Sequence, residues 1–411
     1  MTHPTAPASC DVLVIGAGPA GSACAQTLAE QGLHVVFVDQ HSFPRDKVCG
    51  DGLIPDAHTA LRKLGVYDEV MAQAQSVRHV RCIGPRAGAV DVPGELAVIP
   101  RRVLDDILCR SAQRAGANLL APARFEAPLL DGERCVGARL KIGGESHEIR
   151  APWLILATGA VPQALIAAGV CQRRTPSGVA MRGYVKNDAM IGRITELEII
   201  WHKRLHGGYG WIFPCRDGVF NIGVGMPHSH RAMAPGAQTM EDVNLREMFE
   251  AFRDLHPPAR DLMKDGVPQG GMKGAPLRCS LEGALYSKPG LLVTGEAAGS
   301  TYAFSGEGIG KAMETGMLAA KAILDGRAQG VDDTSVRAAY EATVLALKPR
   351  FALYERANAV NSHPWLIDLI IWRARKSKRI LRRMMSVLDE TGNPGNLVSV
   401  RGLVRLFLPI R

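Results

Sequence analysis

One run of eleven residues constrains this chain more than any other: Asp11-Val-Leu-Val-Ile-Gly-Ala-Gly-Pro-Ala-Gly21. An apolar strand, Val12 to Ile15, is followed by Gly16-x-Gly18-x-x-Gly21, with Ala17, Pro19 and Ala20 filling the turn, and then by an alanine-rich helix reaching about Glu30. That order is what a Rossmann dinucleotide site requires. Gly16 permits the tight turn, Gly18 lets backbone approach a pyrophosphate, and Gly21 lets helix pack closely on strand. The phosphates then sit at the helix N-terminus, where unpaired N–H groups and the macrodipole favour negative charge. A second strand, His34 to Val38, ends in Asp39, 23 positions after Gly16. A carboxylate there suits a ribose hydroxyl and disfavours a 2′-phosphate.

A chain of 411 residues has material for two or three domains. Its hydrophobic content of 46% fits a folded enzyme, and no apolar run reaches the roughly 18 to 20 residues of a membrane span. The opening Met1 to Ser9 lacks the basic and apolar regions of a signal peptide. Nine scattered cysteines without a Cys-x-x-Cys pair argue against zinc and against a disulfide framework. The expected compartment is therefore the cytoplasm. The net charge of +9 is local: residues 373–411 carry ten Lys or Arg against Asp389 and Glu390. No nucleic-acid motif accompanies them. Charge is interleaved there with apolar residues, as in Trp365 to Trp372, Arg373 to Met385 and Leu403 to Leu408. This reads either as an amphipathic, basic surface for anionic lipid or as helix packed on the body.

After the opening unit comes a glycine-containing loop, Ser42 to Gly52, then a helical pattern through Leu64. A hairpin is predicted from Val77–Ile83 and Ala89–Val92, a helix over Arg101–Ala115, and short strands between Leu119 and Leu140. Trp153 to Leu156 is a buried strand ending in a turn at Thr158-Gly159. Alternating strands from Gly178 to about Met226 precede a helix near Val243 to Leu255. Strands clustered in this way between Rossmann elements predict an inserted antiparallel sheet. Residues 1–78, 98–175 and 276–330 are thus expected to form a discontinuous nucleotide domain. Residues 79–97 and 176–275 form the sheet domain for substrate, and 331–411 a helical, basic C-terminal region.

A second glycine-rich stretch lies far along the chain. Gly290 to Val293 is an apolar strand with Gly295-Glu296 at its carboxyl end, where open α/β sheets bind ligands. A loop follows, and a helix opens near Gly306 to Gly308 and Ile309. Its free N–H groups suit the pyrimidine edge of a flavin, whose reduction places negative charge there. Together the two stretches point to FAD. No second Gly-x-Gly-x-x-Gly unit is present, so NAD(P)H or a reduced ferredoxin is expected to dock transiently as electron donor.

At these residues the chain resembles the geranylgeranyl reductase family of flavoproteins, within the fold superfamily of para-hydroxybenzoate hydroxylase, over about residues 10–330. The resemblance rests on Gly16 to Gly21 with Asp39, on Lys47-Val-Cys-Gly-Asp-Gly52, on Arg101 in Arg-x-x-Leu-Asp, and on Gly295-Glu296 with Gly308-Ile309. It rests also on Gly208-Tyr-Gly-Trp-Ile-Phe-Pro214, similar to the element that lines the isoprenoid cavity of such reductases. The implied fold is α/β: a Rossmann-like FAD-binding domain with an inserted antiparallel-sheet substrate domain and a helical C-terminal region. The implied cofactor contacts are the turn Gly16 to Gly21, Asp39, Lys47, Cys49, Gly50, Gly52, Arg101, Phe125, Thr158, Gly159, Gly295, Glu296, Gly306, Gly308 and Ile309. Glu296 departs from the family's usual aspartate. Thr158-Gly159 departs from the Asp-Gly of many hydroxylases, and Tyr209 stands where halogenases carry a first tryptophan.

The implied activity is reduction of carbon–carbon double bonds in an isoprenoid or lipid-like substrate. Tyr209, Trp211 and Phe213 recur at spacing two, so on a strand they share a face, either as an aromatic wall with Pro214 at its end or as plain sheet core. Cys49 lies near Lys47, whose charge is expected to lower the thiol pKa, and either donates a proton or packs by the flavin. Tyr209 is the rival donor. His202 and His206, four apart without a carboxylate motif, read as surface residues rather than metal ligands. Two other activities stay open: a flavin monooxygenase or halogenase of secondary metabolism, and an electron-relay flavoprotein serving a membrane quinone through the basic region.

Overall fold

The computed structural model describes residues 6–205, 207–227 and 244–393; His206, Val243 and the Leu403–Leu408 segment lie outside them. A six-stranded sheet runs in the order Ser287–Lys288, Leu291–Val293, Trp153–Leu156, Val12–Ile15, Val35–Val38, Asn118–Leu120. All neighbours are parallel except the first pair. Val12 to Ile15 and Val35 to Val38 are buried throughout, because both faces of a parallel sheet are covered. Val12, Val14, Val35 and Phe37 face helices Pro19–Ala29, Ile309–Gln329 and Asp333–Ala357. Leu13, Ile15, Val36 and Val38 face the other way, onto a separate three-stranded sheet of Arg124–Asp131, Arg134–Ile142 and Glu145–Arg150.

The parallel register explains how two distant glycine stretches come together. Ile15 pairs with Leu156, and Leu156 with Val293. All three strands therefore end level, and Gly16, Thr158 and Gly295 follow at one edge. Small residues bring the two following helices close: a Cβ on Gly316 would lie 2.2 Å from the Ala20 carbonyl oxygen.

A second sheet of nine strands contains the hairpin Gln75–Ile83 and Ala89–Val98, the strands Gly178–Lys186, Leu197–Ile200, Tyr209–Pro214 and Val219–Pro227, and shorter pieces including Gly52–Leu53 and Lys273–Leu277. It is largely antiparallel, with one parallel pairing between Leu197–Ile200 and the hairpin. One face, with Ile212, Phe220, Ile222 and Val224, is covered by helix Leu245–Leu255 through Phe249 and Phe252. Asn244 caps that helix, its side-chain oxygen accepting from the N–H groups of Arg246 and Glu247 at 3.1 and 3.4 Å.

The opposite face is covered by the C-terminal helices Trp365–Ala374 and Lys378–Leu388. Leu366, Ile367, Ile370, Ile371 and Ile380 pack into one cluster with Val80, Val92, Trp201 and Trp211. The apolar stripe read from the sequence is thus used on the body of the protein, while Trp365 and Trp372 remain 59% and 45% exposed. Glu390, just past the last of these helices, binds Lys311 in the first turn of Ile309–Gln329 at 2.8 Å. No helix among the described residues is long and apolar enough to cross a membrane.

Candidate flavin and substrate site

At the glycine turn the backbone itself is the binding surface. Gly16 has φ +104°, and a Cβ there would lie 2.3 Å from the Ala157 carbonyl oxygen, so only glycine fits. Above Gly18 stand two guanidinium groups: a Cβ there would lie 3.5 Å from Arg45 Nη2 and 3.9 Å from Arg101 Nη2. Arg101 is clamped by Asp105 through bonds of 2.6 and 2.9 Å, and Arg45 reaches Asp105 at 2.9 Å and Asp39 at 3.1 Å. Asp39 also accepts from the N–H groups of Ala17 (3.3 Å) and His41 (3.0 Å). Two held cations beside the N-terminus of an eleven-residue helix make a fitting seat for a pyrophosphate. Pro19, at the helix start, gives up no hydrogen bond there.

At the other end of the same edge, Lys47 Nζ lies 3.9 Å from Glu296 Oε2, and a Cβ on Gly159 would be 4.0 Å from that oxygen. Thr158 Oγ1 is buried with no hydrogen-bond partner among the described residues. Thr301 donates to Glu296 at 3.4 Å. Gly295 and Gly306 both have positive φ, and Gly308 leads into the helix that opens at Ile309. These groups and the glycine turn line one continuous edge, with open backbone, fixed cations and an unpartnered hydroxyl, and they fit a dinucleotide such as FAD. Phe125 lies in the three-stranded sheet, two residues after Ala123, whose N–H donates to the Asp39 carbonyl at 2.7 Å, and packs, half-buried, on the core of that side.

Between this edge and the second sheet lies the loop of Cys49. The four rings of Trp201, Tyr209, Trp211 and Phe213 form a ladder with successive centroids 6.1, 6.1 and 6.3 Å apart. The strand opposite makes room for it: a Cβ on Gly223 would lie 2.4 Å from the Trp211 ring. At one end Trp201 donates to Asn361 at 2.6 Å, tying the ladder to the C-terminal region. In the middle the Tyr209 hydroxyl donates to the Ser305 carbonyl at 2.7 Å. At the other end Phe213 and Trp211 meet the loop, with a Cβ on Gly50 falling 3.2 Å from Phe213 and 3.7 Å from Trp211 Nε1. Pro214 closes the strand, buried. The aromatic run is thus both sheet core and one wall of the junction between the two sheets.

The Cys49 thiol does not behave as its sequence neighbours suggest. Its pKa is raised, because burial outweighs every other influence; of the charges that oppose this, Arg101 acts more strongly than Lys47. Lys47, two residues before Cys49, lowers the thiol only weakly and lies 3.9 Å from Glu296. Burial likewise raises the Tyr209 hydroxyl.

Several residues that build this junction escaped the sequence reading. Asp51, fully buried, accepts from Asn221 at 2.8 Å, from the hydroxyl of Tyr184, and from the Arg101 N–H at 3.3 Å. Asn221 accepts from the Trp211 indole at 2.9 Å and donates to the Cys49 carbonyl at 2.8 Å. Arg182 donates to the Lys47 carbonyl at 3.0 Å and to Asp46. A signal existed for two of them: Asp51 is the polar residue inside Gly50-Asp-Gly52, and Asn221 interrupts the apolar run Val219 to Val224. Asp51 also has φ +67°, a left-handed conformation costing about 1–2 kcal/mol for a residue with a side chain. Of the two histidines, His202 accepts from the Arg204 N–H at 3.2 Å, a local turn contact.

Comparison with known proteins agrees with this architecture. Residues 9–202 match the FAD binding domain family. The menaquinone reductase of Mycolicibacterium smegmatis is 34% identical over 79% of this chain and 78% of its own. The digeranylgeranylglycerophospholipid reductase of Methanosarcina acetivorans is 29% identical over 78% and 76%. Among solved structures, a geranylgeranyl bacteriochlorophyll reductase-like protein from Thermoplasma acidophilum superposes with a TM-score of 0.72 at 21% identity, covering 97% of this chain and 95% of that one. A flavin-dependent brominase does so at 0.73 and 21%, covering 97% of each, a likeness of fold. With the Rossmann edge, the Cys49 loop and the inserted sheet in place, the chain belongs to the geranylgeranyl reductase family of FAD-dependent oxidoreductases.

Proposed function

We propose that this flavoprotein saturates carbon–carbon double bonds in the isoprenoid chain of a lipid-soluble substrate, with a polyprenyl quinone as the first candidate. The observation that carries this reading is the aromatic ladder from Trp201 to Phe213, which runs from beneath the C-terminal helices to the Cys49-Gly50 loop. A continuous row of rings offers an extended apolar track, which suits a chain better than a compact polar substrate. The relatives at 34% and 29% identity act, by name, on a menaquinone and on a geranylgeranyl lipid.

FAD, when bound, supplies the hydride. The chain's own residues do the rest. Arg45 and Arg101 hold the pyrophosphate, Asp39 the ribose end, and the segment Gly295 to Ile309 the flavin end. Tyr209, Trp211, Phe213 and Pro214 align the chain and exclude water. Cys49 carries the proton for the second carbon: the Tyr209 proton is engaged by Ser305, whereas Arg101 stands by the thiol and eases its loss of a proton. NAD(P)H or a reduced ferredoxin serves as transient electron donor. The exposed Trp365 and Trp372, with Arg375, Lys376, Lys378 and Arg379 nearby, support peripheral contact with anionic lipid.

The test is anaerobic. Photoreduced protein is mixed with a menaquinone bearing an unsaturated chain or with a geranylgeranyl lipid. Flavin reoxidation with a product two hydrogens heavier per bond is expected. Reoxidation that requires oxygen, with a hydroxylated or halogenated product, overturns the reading in favour of a monooxygenase or halogenase. Reoxidation by a quinone with every chain double bond left intact overturns it in favour of an electron relay.

A further inference from the structure

We propose that Asp51 is a positioning residue which ties the Cys49 loop and the Trp211 indole into one unit, so that both sides of the substrate's reactive segment are set by a single buried carboxylate. This rests on the substrate site proposed above. One oxygen of Asp51 takes the Tyr184 hydroxyl and Asn221 Nδ2 together, and the other takes the Arg101 N–H. Its backbone completes the tie: the Asp51 carbonyl accepts from Ile99 at 3.1 Å, and its N–H lies 3.4 Å from Cys49 Sγ. Asn221 passes the constraint on, with its carbonyl to the Trp211 indole and its amide to the Cys49 carbonyl. Helix Arg101–Arg114, strands Gly178–Lys186 and Val219–Pro227 and the cysteine loop therefore converge on one side chain.

Two features of Asp51 oppose folding. It is a buried carboxylate, and it holds a left-handed backbone conformation between two glycines. Asparagine has nearly the same shape, carries no charge and tolerates that conformation better. Asparagine would remove the buried charge but would set its amide nitrogen, a donor, against the Arg101 N–H or against Tyr184 and Asn221, so the three donors that converge here call for both oxygens of a carboxylate. The charged and titratable groups around it are Arg182 and Tyr184 on one strand, Arg101 at its helix start, Cys215 beyond Pro214, and Cys49 and Lys47 in its own loop. Burial moves Tyr184, Cys49 and Cys215 further from neutrality. It brings Asp51 up to about 6, against the partial relief of its hydrogen bonds.

The experiment uses the full chain, with and without FAD, carrying Asp51→Asn or Tyr184→Phe. Iodoacetamide labelling of Cys49 is followed peptide by peptide at pH 8, and the Trp211 contribution to fluorescence is taken by difference from Trp211→Phe. Each variant is expected to label Cys49 about tenfold faster, the equivalent of one lost hydrogen bond, and to shift the Trp211 emission. The unsubstituted protein shows the same emission shift as pH falls through about 6, and Asp51→Asn shows none. Unchanged labelling and emission in both variants overturns the proposal. So does a lower melting temperature of Asp51→Asn with unaltered labelling, which assigns the residue to the fold alone. These readouts need no substrate. Failure of the unsubstituted protein to reduce any prenyl chain counts against the proposed function, and leaves the positioning role to be judged by labelling and emission.

Discussion

The glycine turn at Gly16–Gly21 and the glycine loop at Cys49–Gly52 lie against the same Arg101, yet they are built on opposite principles. The turn is shaped by backbone clearance, Gly21 against Gly16 and Gly16 against Ala157 on the adjoining strand, and its charges, Arg45 and Arg101, are held by carboxylates at its own edge. The loop is shaped by side chains from far away: the partners of Asp51 at Tyr184 and Asn221 lie 133 and 170 residues further along the chain. A site that grips a constant cofactor can be rigid and local. A site that fits a particular substrate against that cofactor has to be assembled from the inserted sheet.

Breaking the local half should have the largest effect. Gly16→Val adds a side chain at φ +104° against the Ala157 carbonyl, costing more than about 3 kcal/mol. The purified protein is expected to lack bound flavin by its visible absorbance.

The long-range half should be separable by pH. The Asp51 carboxyl rises from the ordinary 3.8 to about 6 on folding, so the folded state holds this proton more tightly than the unfolded one. Its stabilising contribution is present in full below about 4 and is lost as pH rises through about 6. Denaturant unfolding of the unsubstituted protein relative to Asp51→Asn should therefore lose about 3 kcal/mol between those limits. A flat difference would mean that Asp51 is no buried acid.

Cys49→Ala should lower the single-turnover rate about 100-fold, within the range of a general acid, while flavin affinity is retained. An unaltered rate would return the thiol to a packing role and leave the two halves without a shared chemical group. Asn221→Leu removes the acceptor of the Trp211 indole and a donor to Asp51. It should cost about 2 kcal/mol in unfolding and raise KM more than it lowers kcat. Phe125→Leu should have the smallest effect, under about 1.5 kcal/mol in stability with flavin affinity unchanged. A weakened flavin affinity there would extend the cofactor site to the three-stranded sheet.

The legible part of the molecule follows the same division. The strand and turn from Val12 to Gly21, the helix from Arg101, and the strand ending at Gly295 were readable because each depends on residues adjacent in sequence. The alternation of Tyr209, Trp211 and Phe213 correctly indicated a shared face. The Lys47 charge does lower the Cys49 thiol, as its position suggests, but burial, which proximity along the chain does not reveal, outweighs it and raises the thiol overall. The second glycine grip carried a similar blind spot: Glu296 looked like an isolated departure, but it meets Lys47, nearly 250 positions earlier. The apolar stripe of the C-terminal helices was visible, but its use against the hairpin Gln75–Ile83 and Ala89–Val98 was not.

A Rossmann edge for a dinucleotide, the Cys49 loop and the aromatic element can all be read directly from the residues. Glycine spacing and strand alternation are consequences of local sterics, so they are written locally. It takes the fold to link Asp51, Asn221 and Trp211 in one hydrogen-bonded chain, to set Arg45 beside Arg101 over Gly18, and to end the ladder beneath the C-terminal helices. Buried polar groups must find partners wherever the fold supplies them, and strand pairing across more than a hundred residues makes that choice.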